Sequence, residues 1–100
     1  MFFSCGSDGW QKASYSQVLG CFKNGDDLIK ITDKTLQFND GAVMDLKRSS
    51  DDYDYFINAY FNGVELVAAS FHYNPTSKQF KWRRFESGIQ ESVLTKIDCP

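Results

Sequence analysis

Alternation of apolar and polar residues is the strongest pattern in this chain, and it is clearest between residues 53 and 73. Two alternating segments, 53–61 and 64–73, flank Asn62-Gly63. This dipeptide is the one that best accepts the two positive φ angles of a type I′ turn. The pattern therefore predicts a two-residue β-hairpin in which Phe61 pairs with Val64.

This register assigns the hairpin side chains to two faces, because successive residues of a strand point to opposite sides. The face predicted to pack in the core carries Tyr53, Tyr55, Ile57, Ala59, Phe61, Val64, Leu66, Ala68, Ser70 and His72. The other face carries Asp54, Phe56, Asn58, Tyr60, Glu65, Val67, Ala69, Phe71 and Tyr73. That second face is too aromatic for ordinary solvent exposure, so a helix, a second sheet or another protein is expected to cover part of it.

Short β segments separated by turn residues account for most of the remaining chain. They span residues 28–32, 35–38, 42–48, 79–85 and 92–98. All seven segments follow one another without an intervening helix, so antiparallel pairing of sequence neighbours is expected.

The N-terminal part of the chain carries the one helix signal. Ser14 and Gln17 have the spacing of a capping box, with Ala13 and Val18 placed as a hydrophobic staple, and the pattern predicts a helix over 15–23. The predicted fold is thus mainly β: one short N-terminal helix, then an antiparallel meander of about seven strands that forms a small open barrel or a strongly curled sheet.

Length and composition limit the class of protein. One hundred residues make a single domain, assigned to 13–100 after a flexible N-terminal segment, 1–12. The longest uninterrupted apolar run is four residues, Leu66 to Ala69, which is too short for a transmembrane helix. A net charge of −2 argues against a nucleic-acid partner, because neutralising phosphates needs a basic surface.

The cysteines help to indicate the cellular compartment of the protein. With no C-x-x-C pair and His72 as the only histidine, no metal site is expected. Cys21 and Cys99 are 78 positions apart and bracket nearly the whole predicted domain. A disulfide between them would stabilise the fold by about 4–5 kcal/mol on the chain-entropy model. It would also indicate an oxidising compartment, whereas two buried free thiols would fit a cytosolic protein.

Cys5 is the remaining cysteine. The residues before it resemble the end of a lipoprotein signal, in which an apolar stretch precedes the acylated cysteine, but only Met1, Phe2 and Phe3 supply that stretch. Cys5 is therefore a candidate lipidation site, with residues 1–12 as the tether. The alternative is an apolar N-terminus with a free thiol.

Candidate catalytic chemistry is sparse. His72 is flanked by Phe71 and Tyr73, and no serine, cysteine or carboxylate stands at a spacing that suggests a nucleophile and its base. The chain also lacks a glycine-rich phosphate loop, H-E-x-x-H and an acidic calcium loop. A non-enzymatic protein without a cofactor is expected.

An acidic, aromatic segment at 51–55 offers a binding surface. It places three carboxylates and two phenols in five residues, which is typical of a solvated loop but also of a rim that docks a basic partner. The candidate partner-binding residues, drawn from this rim and the second hairpin face, are Asp51, Asp52, Tyr53, Asp54, Phe56, Tyr60, Phe71 and Tyr73.

A basic, aromatic segment at 81–85 offers a different surface. Alternation sends Phe80, Trp82 and Arg84 to the face opposite Lys81, Arg83 and Phe85. If the first set faces the core, Arg84 either extends to water at the barrel end or binds an anionic ligand at the barrel mouth. The candidate mouth residues are His72, Trp82 and Arg84.

The sequence favours a non-enzymatic protein-binding or inhibitory module of the bacterial envelope, periplasmic or anchored to the outer membrane through Cys5. In size, cysteine placement and β pattern the chain resembles small envelope lipoproteins and immunity proteins that block toxins or lysozyme-like enzymes. A lipocalin-like carrier of a small ligand is one alternative. A cytoplasmic phage or mobile-element inhibitor with an acidic aromatic surface is another.

Overall fold

The computed structural model describes residues 9–86 and 88–100, and in them the chain forms nine β-strands. The strands are β1 (Gln11–Lys12), β2 (Gly20–Asn24), β3 (Asp27–Ile31), β4 (Thr35–Phe38), β5 (Val43–Ser50), β6 (Tyr55–Phe61), β7 (Val64–Asn74), β8 (Gln79–Glu86) and β9 (Gly88–Ile97). A 3-10 turn occupies Ser16–Val18.

The strands close into an eight-stranded antiparallel barrel. From β2 to β9 each strand pairs with its neighbour in sequence, and β9 returns to pair with β2. The two-residue β1 lies outside this ring and pairs with the end of β7, although its residues fall in the predicted N-terminal tether. The mainly β, antiparallel prediction is confirmed, but the barrel has one strand more than predicted, and it is closed.

The predicted helix over 15–23 is wrong, and a 3-10 turn at Ser16–Val18 stands where it was expected to begin. The Gln17 side chain accepts a hydrogen bond from the Ser14 amide at 2.9 Å, as half of the capping box requires, and Val18 is buried. Gly20 then adopts φ of 120°, a conformation that L side chains rarely adopt and that a helix cannot contain. The following residues extend as β2, because there they form ladders with both β3 and β9.

The hairpin centred on Asn62-Gly63 is confirmed, with φ of 52° and 81° at the two turn residues. Its register holds for Phe61 with Val64 but changes beyond a bulge, where Ala59 pairs with Val67. Leu66 is the extra residue, so every later side chain of β7 moves to the opposite face.

The shift corrects the predicted core face. Tyr55, Ile57 and Ala59 of β6 are buried as predicted, but on β7 the buried inward residues are Val67, Ala69 and Phe71. Leu66, the extra residue, is exposed, and so is Val64, which keeps its predicted pairing with Phe61 but lies next to the turn.

Aromatic side chains fill the barrel interior. Trp82 and Phe71 are almost fully buried with ring centroids 5.4 Å apart, and Phe22 meets Phe80 at 5.1 Å. An eight-stranded barrel is just wide enough for side chains to fill it, and here they do.

The two ends of the barrel differ. The turns at 25–26, 39–42 and 62–63, together with the β8–β9 connection, lie at one end, which we call the hairpin end. The turns at 32–34, 51–54 and 75–78 lie at the other, which we call the rim end.

Candidate functional site

The acidic segment predicted as a docking rim forms a tight turn at the rim end. One carboxylate oxygen of Asp51 accepts hydrogen bonds from the amides of Tyr53 and Asp54, both at 2.8 Å. These two bonds hold the pKa of Asp51 below its ordinary value, and the bond from Tyr53 has the larger effect. Asp54 pairs with His72 at 3.1 Å, whereas the Tyr53 side chain is 80% exposed. Two of the three acidic groups therefore already have partners within the fold.

The lowered pKa of Asp51 predicts a loss of stability in acid. A carboxyl group with a lower pKa when folded stabilises the fold fully above its unfolded pKa of about 3.9, and that contribution disappears as the pH falls through the folded pKa. We expect the urea midpoint of the wild type to fall more below about pH 5 than that of Asp51→Asn, since the charge is absent in the variant. Parallel pH profiles for the two proteins would contradict this, and Asp52→Asn serves as the exposed control.

The remaining predicted partner-binding residues do not share one surface. Phe71 is fully buried in the barrel, which removes it from any binding face, because the bulge turns it inward. Tyr73 packs against the core, with its ring 4.8 Å from that of Phe80. Phe56 and Tyr60 stay on the outer face of β6, both half-buried.

The Tyr60 ring is already engaged by charged neighbours. Lys47 places its ammonium group 5.3 Å from the ring centroid. Burial, and then the neighbouring Glu65 carboxylate, raise the pKa of the Tyr60 hydroxyl.

The predicted mouth residues separate between the two ends. Trp82 and Arg84 point inward on β8 as alternation predicts, and the Arg84 guanidinium lies 5.4 Å from the Trp82 ring and 5.5 Å from the Phe38 ring. His72 lies at the rim end, paired with Asp54.

A cleft of about 260 Å³ opens at the hairpin end beside Arg84. We call it the mouth cleft; it is lined by Asn24, Asp27, Ile29, Phe38, Asn39, Trp82 and Arg84.

Exposed apolar side chains also lie at the hairpin end, where the sequence did not indicate a surface. Five apolar side chains with exposed fractions of 41–62% lie on the two neighbouring hairpins of the hairpin end. We call this set the apolar tips: Phe61, Val64 and Leu66 on β6–β7, and Phe85 and Ile89 on β8–β9. Three of the five, Phe61, Val64 and Leu66, had been assigned to the core face. The bulge accounts for Leu66, whereas Phe61 and Val64 keep the predicted pairing but lie beside the turn at the end of the barrel, where they are exposed.

Three of the four turns at the hairpin end are acidic. The turn segments 24–28, 38–43 and 60–66 contain four carboxylates and no lysine or arginine. These carboxylates, all on exposed residues, are Asp26, Asp27, Asp40 and Glu65. The hairpin end therefore combines exposed apolar side chains with negative charge.

Cys21 and Cys99 form a disulfide, as the sequence predicted for an oxidising compartment. Cys21 is fully buried on β2, whose neighbouring residue Phe22 points into the barrel, so the bond lies on the outer side of the wall. Cys5, the candidate lipidation site, lies outside the described residues.

Residues 9–86 and 88–100 contain no group of three or more histidine, cysteine or acidic side chains arranged to hold a metal ion. They also contain no helix with the length and apolar character needed to cross a membrane.

No family model, curated protein or solved structure matches this chain. Its own geometry is therefore the basis for inferring its function.

Proposed function

We propose that this protein is a non-enzymatic protein-binding or inhibitory module of the bacterial envelope, and that its hairpin end binds a basic, partly apolar surface of another protein. The observation that carries the proposal is the group of apolar tips on adjacent hairpins. Contiguous exposed apolar side chains with a polar surround are typical of protein interaction sites.

Charge indicates the kind of partner. Four exposed carboxylates lie in three of the four turns at this end of the barrel, and those three turns contain no basic residue; the fourth contains one residue of each sign, Arg84 and Glu86. Opposite charge on a partner steers the encounter and disfavours acidic competitors. A basic partner surface, such as that of a cationic toxin or enzyme, fits this end of the barrel.

The small-ligand carrier is the weaker alternative, because the barrel interior is filled. Trp82, Phe71 and Leu94 are each at most 1% exposed inside it. The mouth cleft, at about 260 Å³, is below the roughly 300–1,000 Å³ of sites that enclose small molecules. Its size suits one side chain of a protein partner.

The disulfide supports the envelope over the cytoplasm, because disulfides persist in the periplasm and outside the cell. The cytoplasmic phage inhibitor would instead need both thiols free. Anchoring to the outer membrane through Cys5 is part of the same proposal.

Binding by variants of the apolar tips tests the proposal. Envelope proteins captured by the immobilised chain would be identified, purified and titrated by calorimetry. We expect a 1:1 complex that Phe61→Ser and Ile89→Ser each weaken by about tenfold or more, since buried aromatic and apolar anchors dominate binding energy.

Tyr53→Ser at the rim end is the matched control, because it removes an exposed ring from the opposite end of the barrel. It is expected to bind like the wild type. Equal affinity of all variants, loss of binding only in Tyr53→Ser, or the absence of any binding protein would overturn the proposal.

A further inference from the structure

One side of β9 has no partner over most of its length. β9 pairs with β8 from Gly88 to Leu94, but its ladder with β2 includes only residues 95–97. β2 ends at Asn24, where the chain turns into β3. It has five residues and β9 has ten, so β2 cannot pair with the whole of β9. Within the part of the chain that the structure describes, no strand pairs with the other side of β9 between Gly88 and Val93.

The direction of the free backbone groups follows from the ladders. The Phe71 carbonyl accepts a hydrogen bond from Ala13, on the side of β7 away from β8. Backbone groups alternate sides along a strand, so Ser70 and its opposite residue Arg83 point toward each other. By the same alternation Gln90 and Ser92 point toward β8.

The odd-numbered residues of β9 therefore present their amides and carbonyls to the open side. These residues are Ile89, Glu91 and Val93. The next two odd-numbered residues, Thr95 and Ile97, already face β2 in the ladder that closes the barrel, as this alternation requires.

The open edge adjoins both features of the hairpin end. Ile89 is one of the apolar tips, and Val93 is a further exposed apolar residue on the same outer face. On the inner side, the mouth cleft lies between Arg84 of β8 and the β2–β3 turn at Asp27. A strand added beside β9 would thus bring alternate side chains to the exposed apolar residues and to the cleft.

We propose that β9 accepts an extended segment of the partner protein as an additional antiparallel or parallel strand, with one of its inward side chains filling the mouth cleft. In this mode of recognition the main-chain hydrogen bonds supply affinity and pockets for alternate side chains supply specificity. The inference depends on the proposed function and names how the partner binds.

The acidic residues near the open edge favour a segment of another protein over a second copy of this chain. The added strand would continue the line of β2 and meet the β2–β3 turn, where Asp26 and Asp27 are both exposed. A segment with apolar residues at alternate positions and a lysine or arginine at that end is complementary. A second copy paired antiparallel through the same three residues would place Glu91 opposite Glu91 of that copy, and like charges directly opposite each other on a sheet are destabilising.

Hydrogen exchange on the whole protein tests strand addition. The probe is a ten-residue peptide selected from a displayed random library against the intact, disulfide-bonded chain. In the free protein the amides of Ile89, Glu91 and Val93 should exchange quickly, while those of Gln90 and Ser92 are protected by β8. Bound peptide should slow the first three at least tenfold and leave the other two unchanged.

Matched variants separate the backbone contribution from the side chain. Glu91→Ala removes the ion pair with Arg83 at 2.7 Å but keeps the amide, whereas Glu91→Pro also removes the amide donor, which an edge strand tolerates. We expect Glu91→Ala to bind the peptide within about threefold of wild type and Glu91→Pro to lose at least tenfold. The wild-type exchange pattern decides the question if Glu91→Pro does not fold.

The outcomes distinguish this inference from the proposed function. Failure to select any peptide, peptide binding without protection of the three amides, or a dimer of the free chain in sedimentation would overturn strand addition. If Glu91→Pro binds the purified protein partner normally while Phe61→Ser does not, the hairpin end binds protein by its side chains and strand addition is wrong.

Discussion

Replacing Phe71 with alanine is expected to lower the free energy of unfolding by about 3–5 kcal/mol, the usual cost of truncating a buried phenylalanine. The Phe71 side chain is fully buried, with its ring centroid 5.4 Å from Trp82 and 6.2 Å from Phe22. Its removal leaves a cavity in the middle of the aromatic core that these neighbours cannot close. Urea denaturation followed by tryptophan fluorescence measures the change.

Phe85→Ala provides the control, because Phe85 is 41% exposed on the outer face of β8. It should cost less than about 1 kcal/mol. If Phe71→Ala were as stable as Phe85→Ala, the observed register of β7 would be wrong, and Phe71 would return to the binding face that the sequence had given it.

The different register of β7 arises from one residue. Alternation correctly placed Tyr55, Ile57 and Ala59 in the core, because β6 has no irregularity in that stretch. On β7 the extra residue at Leu66 reverses the faces. The segment from Leu66 to Ala69 is apolar at every position, so its composition could not reveal which set points inward.

The N-terminal segment shows how pairing overrides a local signal. The Ser14 amide donates to the Gln17 side chain as predicted, yet only the 3-10 turn at Ser16–Val18 follows in this part of the described chain. A helix of two turns has little stability of its own in water. Extending Cys21 and Phe22 instead lets them pair on both sides and close the barrel.

The candidate site was predictable only in part. Strand alternation alone predicts that Phe80, Trp82 and Arg84 point into the barrel, and the structure confirms this orientation. The open edge of β9 depends on the difference in length between β9 and β2. The length of each strand depends on how far it pairs with its neighbours in the assembled sheet. No single segment of the sequence therefore encodes the difference.

Removing the disulfide with Cys21→Ser and Cys99→Ser together is expected to lower the free energy of unfolding by about 4–5 kcal/mol. The bond joins residues 78 positions apart, so its loss restores much conformational freedom to the unfolded chain. Small domains have total stabilities of about 5–15 kcal/mol, so the effect would be a large fraction of the whole. Urea denaturation of the double variant beside the wild type measures it.

The location of the bond adds a structural reason for a large effect. The barrel closes where β9 meets β2, through a short ladder from Cys21–Ile97 to Lys23–Thr95. Cys99 follows this ladder by two residues, so the disulfide fixes the two strands at the end of the closure. In the double variant we expect hydrogen exchange to accelerate most at this seam, before the β6–β7 hairpin is affected.

Cys5→Ser is the control for both measurements, since Cys5 takes no part in the bond, and its stability should equal that of the wild type. In protein produced without lipidation of Cys5, titration of thiols in the denatured, unreduced chain should find one thiol, rising to three after reduction, because the sequence has three cysteines. Three thiols before reduction would contradict the bond and favour a cytoplasmic inhibitor. A single thiol together with an unchanged double variant would show that the bond forms without constraining the unfolded chain, contrary to the chain-entropy argument.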